Sequence, residues 1–151
     1  ELLRTEDISL HDSGTETLRE KKASDLHNRV ARIESVENAT LISIHQNTYP
    51  SAKYRGAQVF YANSETSLPL AQAAQDALRL VDPDNTRKPA KISESVYLMN
   101  HITCRAILVE CGFLSNPEEA LLLQSPAYQL KLAGALCGAY LQYQASQQGV
   151  L

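Results

Sequence analysis

The sequence predicts an α/β fold, a mostly parallel twisted sheet covered by helices. Two observations point there. Short β-branched and aliphatic runs alternate with segments of helical period, and helix starts are marked by Asn-Pro and Ser-Pro. The 151 residues suffice for one domain, residues 1–151, with a single core.

Taken in order, "ELLRTED" reads as the end of a strand leaving into a loop. The polar stretch Ile8 to Lys22, with Asp12-Ser13-Gly14 inside it, reads as a long connection. Leu26, Val30 and Ile33 recur at i, i+4 and i+7, an amphipathic helix. "TLISIHQN" is a strand with Ile42 and Ile44 on one face and Leu41, Ser43 and His45 on the other. "GAQVFYA" is a second strand, started by Gly56.

"SLPLAQAAQDALRLVDP" is a helix with Pro69 in its first turn, Leu70, Ala74, Ala77 and Val81 on one face, and Pro83 as its stop. "VYLM" reads as a short strand or turn leading to the strand "RAILVE". Asn116 then caps a helix with Pro117 at its first position and Glu119 where a capping box puts its acid. Ser125-Pro126 opens the last helix, whose expected buried stripe is Leu130, Ala133, Cys137, Tyr140 and Leu141.

A net charge of −3 gives a nucleic-acid partner no support from the whole chain, and "REKKASDLHNRVAR" reads as a solvated helix face. Cys104, Cys111 and Cys137 form no CxxC pair and read as buried small hydrophobes. No apolar run reaches the ~20 residues a membrane-spanning helix needs, and no signal peptide, Gly-rich phosphate loop or G-x-S-x-G elbow is seen.

His45 and Glu110 each close an apolar strand at its carboxyl end, the edge where open α/β sheets bind ligands. Taken alone, His45 reads either as a hydrogen-bonded rim residue or as a metal ligand. Glu110 reads either as a solvated or Arg-paired carboxylate or as a general base. His101 and Cys104 have a His-x-x-Cys spacing but precede "RAILVE", some six extended residues or about 20 Å from Glu110, and read as structural. His11 and His27 carry no assigned role.

"SIHQN" followed by "LVECGFLSNPEE" resembles the zinc-dependent N-acetylmuramoyl-L-alanine amidases, the amidase type 3 family. "LLRTEDISL", the Leu-x-x-Arg helix "DLHNRVARIESVENA" and "SPAYQLKLAGALCGAYLQY" fit the same family, so the match spans the chain. The insert "HDSGTETLREKKASDLHNR" resembles the spore-cortex, germination-specific branch.

The resemblance implies a three-layer sandwich and a peptidoglycan hydrolase. Its zinc-activated water would cleave the amide between the lactyl group of N-acetylmuramic acid and L-alanine, with Glu110 as catalytic base, His45 as a Zn2+ ligand and Asn47 near the substrate. It further implies an extracytoplasmic location, in the cell wall or spore envelope. The family's other two zinc ligands sit in a Gly-His-Gly-Gly motif and a following Glu, neither of which lies in residues 1–151. The domain is therefore expected to lack the family's first strand and helix. As expectations, this chain alone binds zinc poorly, has little amidase activity and self-associates through exposed sheet. The alternative is a non-catalytic amidase-like domain that grips peptidoglycan without cutting it.

Overall fold

In the computed structural model, which describes residues 1–149, four strands form one sheet: β1 (Thr40–Asn47), β2 (Gln58–Tyr61), β3 (Ala90–Lys91) and β4 (Arg105–Phe113). Their spatial order is β1-β4-β2-β3. β1 pairs parallel with β4, and β2 with β3, whereas β2 and β4 run antiparallel. The β2–β3 crossover contains helix α2 (Leu68–Val81), the connection that parallel neighbours require. The other helices are α1 (Leu18–Glu34), α3 (Tyr97–His101), α4 (Pro117–Gln124) and α5 (Pro126–Gln147).

The layers follow from the two-residue period of β4. Ile107, Val109 and Cys111 point into the larger core with Leu70, Ala74 and Leu78 of α2 and Leu132, Leu136 and Ala139 of α5. Ala106 and Leu108 face the other way, into a smaller core with Met99 of α3 and Ile92. Each aliphatic side chain fully buried in this way contributes roughly 1.5–3 kcal/mol. The result is helix, sheet, helix, the predicted architecture.

Several local expectations change. Residues 1–7 are irregular rather than a strand end; Arg4 bonds its Nη1 to the Ile8 carbonyl, and Arg32 reaches Glu1 at 2.9 Å. The loop before α1 ends at Thr17, not Lys22. Thr17 and Glu20 form a capping box that starts the helix early. "VYLM" begins the one-turn helix α3.

In α5 the buried side chains are Leu132, Leu136, Ala139 and Tyr143. Leu130 is 74% and Leu141 61% exposed. Apolar residues occur nearly all round this helix, so periodicity left its inward face open, and packing on α2 and α4 chose it. Cys137, on the outward side, is exposed and Cys104 only partly buried; of the three cysteines Cys111 alone is buried.

β1 is an edge of the sheet, and its Ile44 is 63% exposed. Among the described residues no helix is long and apolar enough to cross a membrane.

Candidate active site

β1 and β4 run parallel, so their carboxyl ends reach one edge, and the register sets His45 directly beside Glu110. On the other flank antiparallel β2 begins with Gln58, also in register with Glu110. In-register side chains share a face. His45, Glu110 and Gln58 therefore form a polar row across three strands, on the face opposite Val109 and Cys111. Just beyond it the pairing shifts, from His45 with Glu110 to Asn47 with Phe113. The extra residue lies in β4, a bulge at the end of the site strand.

Glu110 is half-buried, and its Oε2 is buried with no hydrogen-bond partner. Burial pushes its carboxyl above the ordinary glutamate value. His45 is shifted the opposite way: burial, and then the Arg29 guanidinium, lower its pKa and favour neutral imidazole. The ring is oriented by Ser43, whose Oγ lies 3.0 Å from Nε2. Arg29 belongs to α1 and is held by Asp25 at 2.7 Å. A cleft of about 540 Å³ along β1 is lined by Leu3, Arg29, Leu41, Ser43, His45 and Tyr140, among others.

Asn47 ends β1 with its Oδ1 accepting from the Thr48 N–H at 2.8 Å, and its carbonyl accepts from Leu114 N–H at 2.8 Å. Its side-chain acceptor thus shapes the loop that leaves the site. His101 lies away from this edge, at the end of α3, its ring stacked on Tyr97 at 3.7 Å.

Two supporting roles escaped the sequence reading. Glu119 is 4% exposed and joins the β1–β2 loop to the end of β4. Its Oε1 accepts from Gly56 N–H at 2.8 Å and its Oε2 from Phe113 N–H at 2.9 Å. Only half of the expected capping box therefore forms: Asn116 caps α4, while the acid turns into the protein. The clamp needs close backbone approach. A Cβ on Gly112 would lie 3.2 Å from Glu119 Oε1, and one on Gly56, at φ +92°, would lie 2.8 Å from Asn85 Oδ1. The second residue, Arg87, donates from Nη1 to Gln58 Oε1 at 3.0 Å and from Nε to the Arg55 carbonyl at 2.8 Å. It sits in a polar loop whose composition gives no sign of it.

Among the described residues no three His, Cys, Asp or Glu side chains are grouped to hold a metal. The pair at the edge nevertheless fits a cation. His45 offers one imidazole donor, and the buried Glu110 oxygen beside it has no hydrogen-bond partner among the described residues, a place where a cation's charge would be compensated.

A family profile described as N-acetylmuramoyl-L-alanine amidase matches residues 2–141. The chain is 41% identical over 146 residues to the germination-specific N-acetylmuramoyl-L-alanine amidase of Bacillus subtilis (strain 168), covering 94% of this chain and 60% of that protein. It thus spans about 60% of the length of this curated relative. Among solved structures it is similar to the CwlD amidase from Clostridioides difficile, determined in complex with the GerS lipoprotein: TM-score 0.88, 33% identity, 95% of this chain and 74% of that one. An N-acetylmuramoyl-L-alanine amidase from Clostridium difficile 630 superposes with TM-score 0.73 at 27% identity, covering 80% of this chain and 66% of that one.

Proposed function

The chain belongs to the N-acetylmuramoyl-L-alanine amidase family, and from that membership we propose that it hydrolyses the amide joining the lactyl group of N-acetylmuramic acid to L-alanine of the peptidoglycan stem. The observation that carries this reading is Glu110, a half-buried carboxylate with an unpartnered oxygen beside a neutral-leaning imidazole.

A catalytic zinc takes three protein ligands, and His45 is the one this sheet edge supplies. When bound, the metal polarises the amide carbonyl and makes water a competent nucleophile near neutral pH. Glu110 then works as general base and acid. Its carboxylate accepts a proton from the water that adds to the carbonyl carbon. It returns that proton to the alanine nitrogen as the C–N bond breaks, and the lactyl carboxylic acid so formed loses its proton to the freed amine, leaving a carboxylate and an ammonium group. Ser43 holds the His45 ring, and Asn47 shapes the edge of the substrate path. With a cation bound beside it, the Glu110 carboxylate would stay ionised despite the upward push of burial. The chain's likeness to a germination-specific amidase supports the narrower reading that the peptidoglycan it cuts is that of the spore envelope, outside the cytoplasm.

The test is digestion of purified peptidoglycan by the full gene product supplied with zinc, following new alanine amino termini. Release supports the amidase reading; binding to peptidoglycan with no release supports a non-catalytic module instead. In the same protein, His45→Ala is expected to lower the bound zinc per chain, measured by atomic absorption. An unchanged ratio removes His45 from the ligand set.

A further inference from the structure

We propose that Arg87 forms a carboxylate-binding subsite for the peptide side of the substrate, so that acidic stem peptides are preferred to amidated ones. The proposal rests on the peptidoglycan amidase reading of the same sheet edge.

The guanidinium is fixed before any ligand arrives. Nε donates to the Arg55 carbonyl and Nη1 to Gln58 Oε1. Its plane lies over Phe113, with Cζ 4.6 Å from the ring centroid. Its own backbone N–H donates to Asn85 Oδ1 at 3.0 Å, and Asn85, 5% exposed, is itself tied to the Ala57 carbonyl at 2.8 Å. An arginine so braced loses little freedom when it takes a ligand.

Its charge is not neutralised. Among the described residues Arg55 faces Asp82 at 3.8 Å and Arg79 pairs with Asp76, yet Arg87 has no acidic partner and Nη2 has no acceptor. A purely structural brace would be complete with the two bonds it makes. The part-buried cation left over gains most from a carboxylate, which a guanidinium binds through paired N–H groups.

The position suits a peptide leaving the scissile amide. Gln58, which Arg87 holds, is the register partner of Glu110, and neighbouring strands lie ~4.8 Å apart. An extended peptide advances ~3.3 Å per residue. With the amide at Glu110, a carboxylate one or two residues past the alanine comes within reach of Arg87. An aromatic wall leads there: Tyr49 against Tyr54 at 4.4 Å, Tyr54 against Phe113 at 6.3 Å, and Phe113 under Arg87. Tyr49 is 50% and Tyr54 37% exposed, so the wall is open to a ligand.

The experiment compares two synthetic muramoyl peptides that differ only in whether the carboxylates beyond alanine are free or amidated. With the zinc-supplied full gene product, kcat/KM should favour the acidic peptide by about tenfold, the scale of a charge-assisted pair in partial contact with water. Arg87→Ala should bring the ratio to within about twofold, mainly through KM, and Arg87→Lys, which keeps the charge without the fork, should fall between. A ratio that survives Arg87→Ala, both substrates slowing alike, makes Arg87 a brace for Gln58 and overturns the proposal. If wild type cleaves neither peptide, the amidase reading fails instead. Calorimetric binding of the two peptides then decides the subsite: a preference for the acidic one that Arg87→Ala removes supports it, and equal affinities overturn it.

Discussion

Glu110→Gln is expected to lower amide hydrolysis by ~10²–10⁴-fold, the usual range for loss of a general acid–base group, and to make the metal-free protein more stable at neutral pH. Both effects come from one carboxyl. Glutamine keeps the shape and cannot accept the proton. In the folded protein burial raises the Glu110 pKa above 4.5. Its stabilising contribution is therefore complete below pH 4.5 and is lost as pH rises through the raised value.

A neutral amide escapes that loss, so chelator-treated Glu110→Gln should melt higher than wild type at pH 7, the two converging in acid. His45 works in the opposite sense. Its lowered pKa leaves its contribution intact above pH 6.5 and lost as pH falls below that through the depressed value. Melting curves against pH, together with peptidoglycan digestion, check the pair of effects. Wild-type activity in the glutamine variant would remove Glu110 from the chemistry.

Glu119→Ala is the largest expected stability effect outside the hydrophobic core. Two buried backbone donors, Gly56 N–H and Phe113 N–H, would lose their acceptors. Each such loss costs about 1–3 kcal/mol, against the ~5–15 kcal/mol that holds a typical domain together. A fall in urea midpoint equivalent to about 2–6 kcal/mol is expected. Glu119→Gln should fall less, since its amide oxygen satisfies one of the two donors. Because Asn116 caps α4 with its own side chain, helix content should survive below the transition. A shift under about 1 kcal/mol would mean that water replaces the carboxylate at both donors.

What was legible in the sequence was what a local pattern dictates. β1 matched residue for residue because β-branched side chains alternate through it, and Pro69 and Pro117 placed helix starts because their missing N–H groups suit only those positions. His45 and Glu110 stood out because each ends an apolar run, and the register then brought them together. Glu119 did not stand out. A capping acid explains it locally, and its true partners lie 63 residues upstream at Gly56 and 6 upstream at Phe113. Arg87 was hidden for a related reason, since a basic residue in a polar loop looks solvated until Phe113 and Gln58 are folded against it. The stripe on α5 was misplaced because that helix offers apolar residues on several faces, and only its neighbours decide among them.

The alternation along β4 has a consequence for how such a domain can change over generations. Val109 and Cys111 belong to the core with α2 and α5, while Glu110 between them belongs to the polar row. One residue inserted or deleted between Arg105 and Glu110 would turn the carboxylate toward the core and the core side chains beside it out to the cleft. Length change between Arg105 and Glu110 should therefore be tolerated poorly, unlike the extra residue that the bulge beyond Glu110 already accommodates. The loop at residues 48–57 is where length change is expected to be borne, so long as Gly56 still reaches Glu119. New substrate preferences in this lineage should arise there, around a pair of strands that evolution can recolour but not re-index.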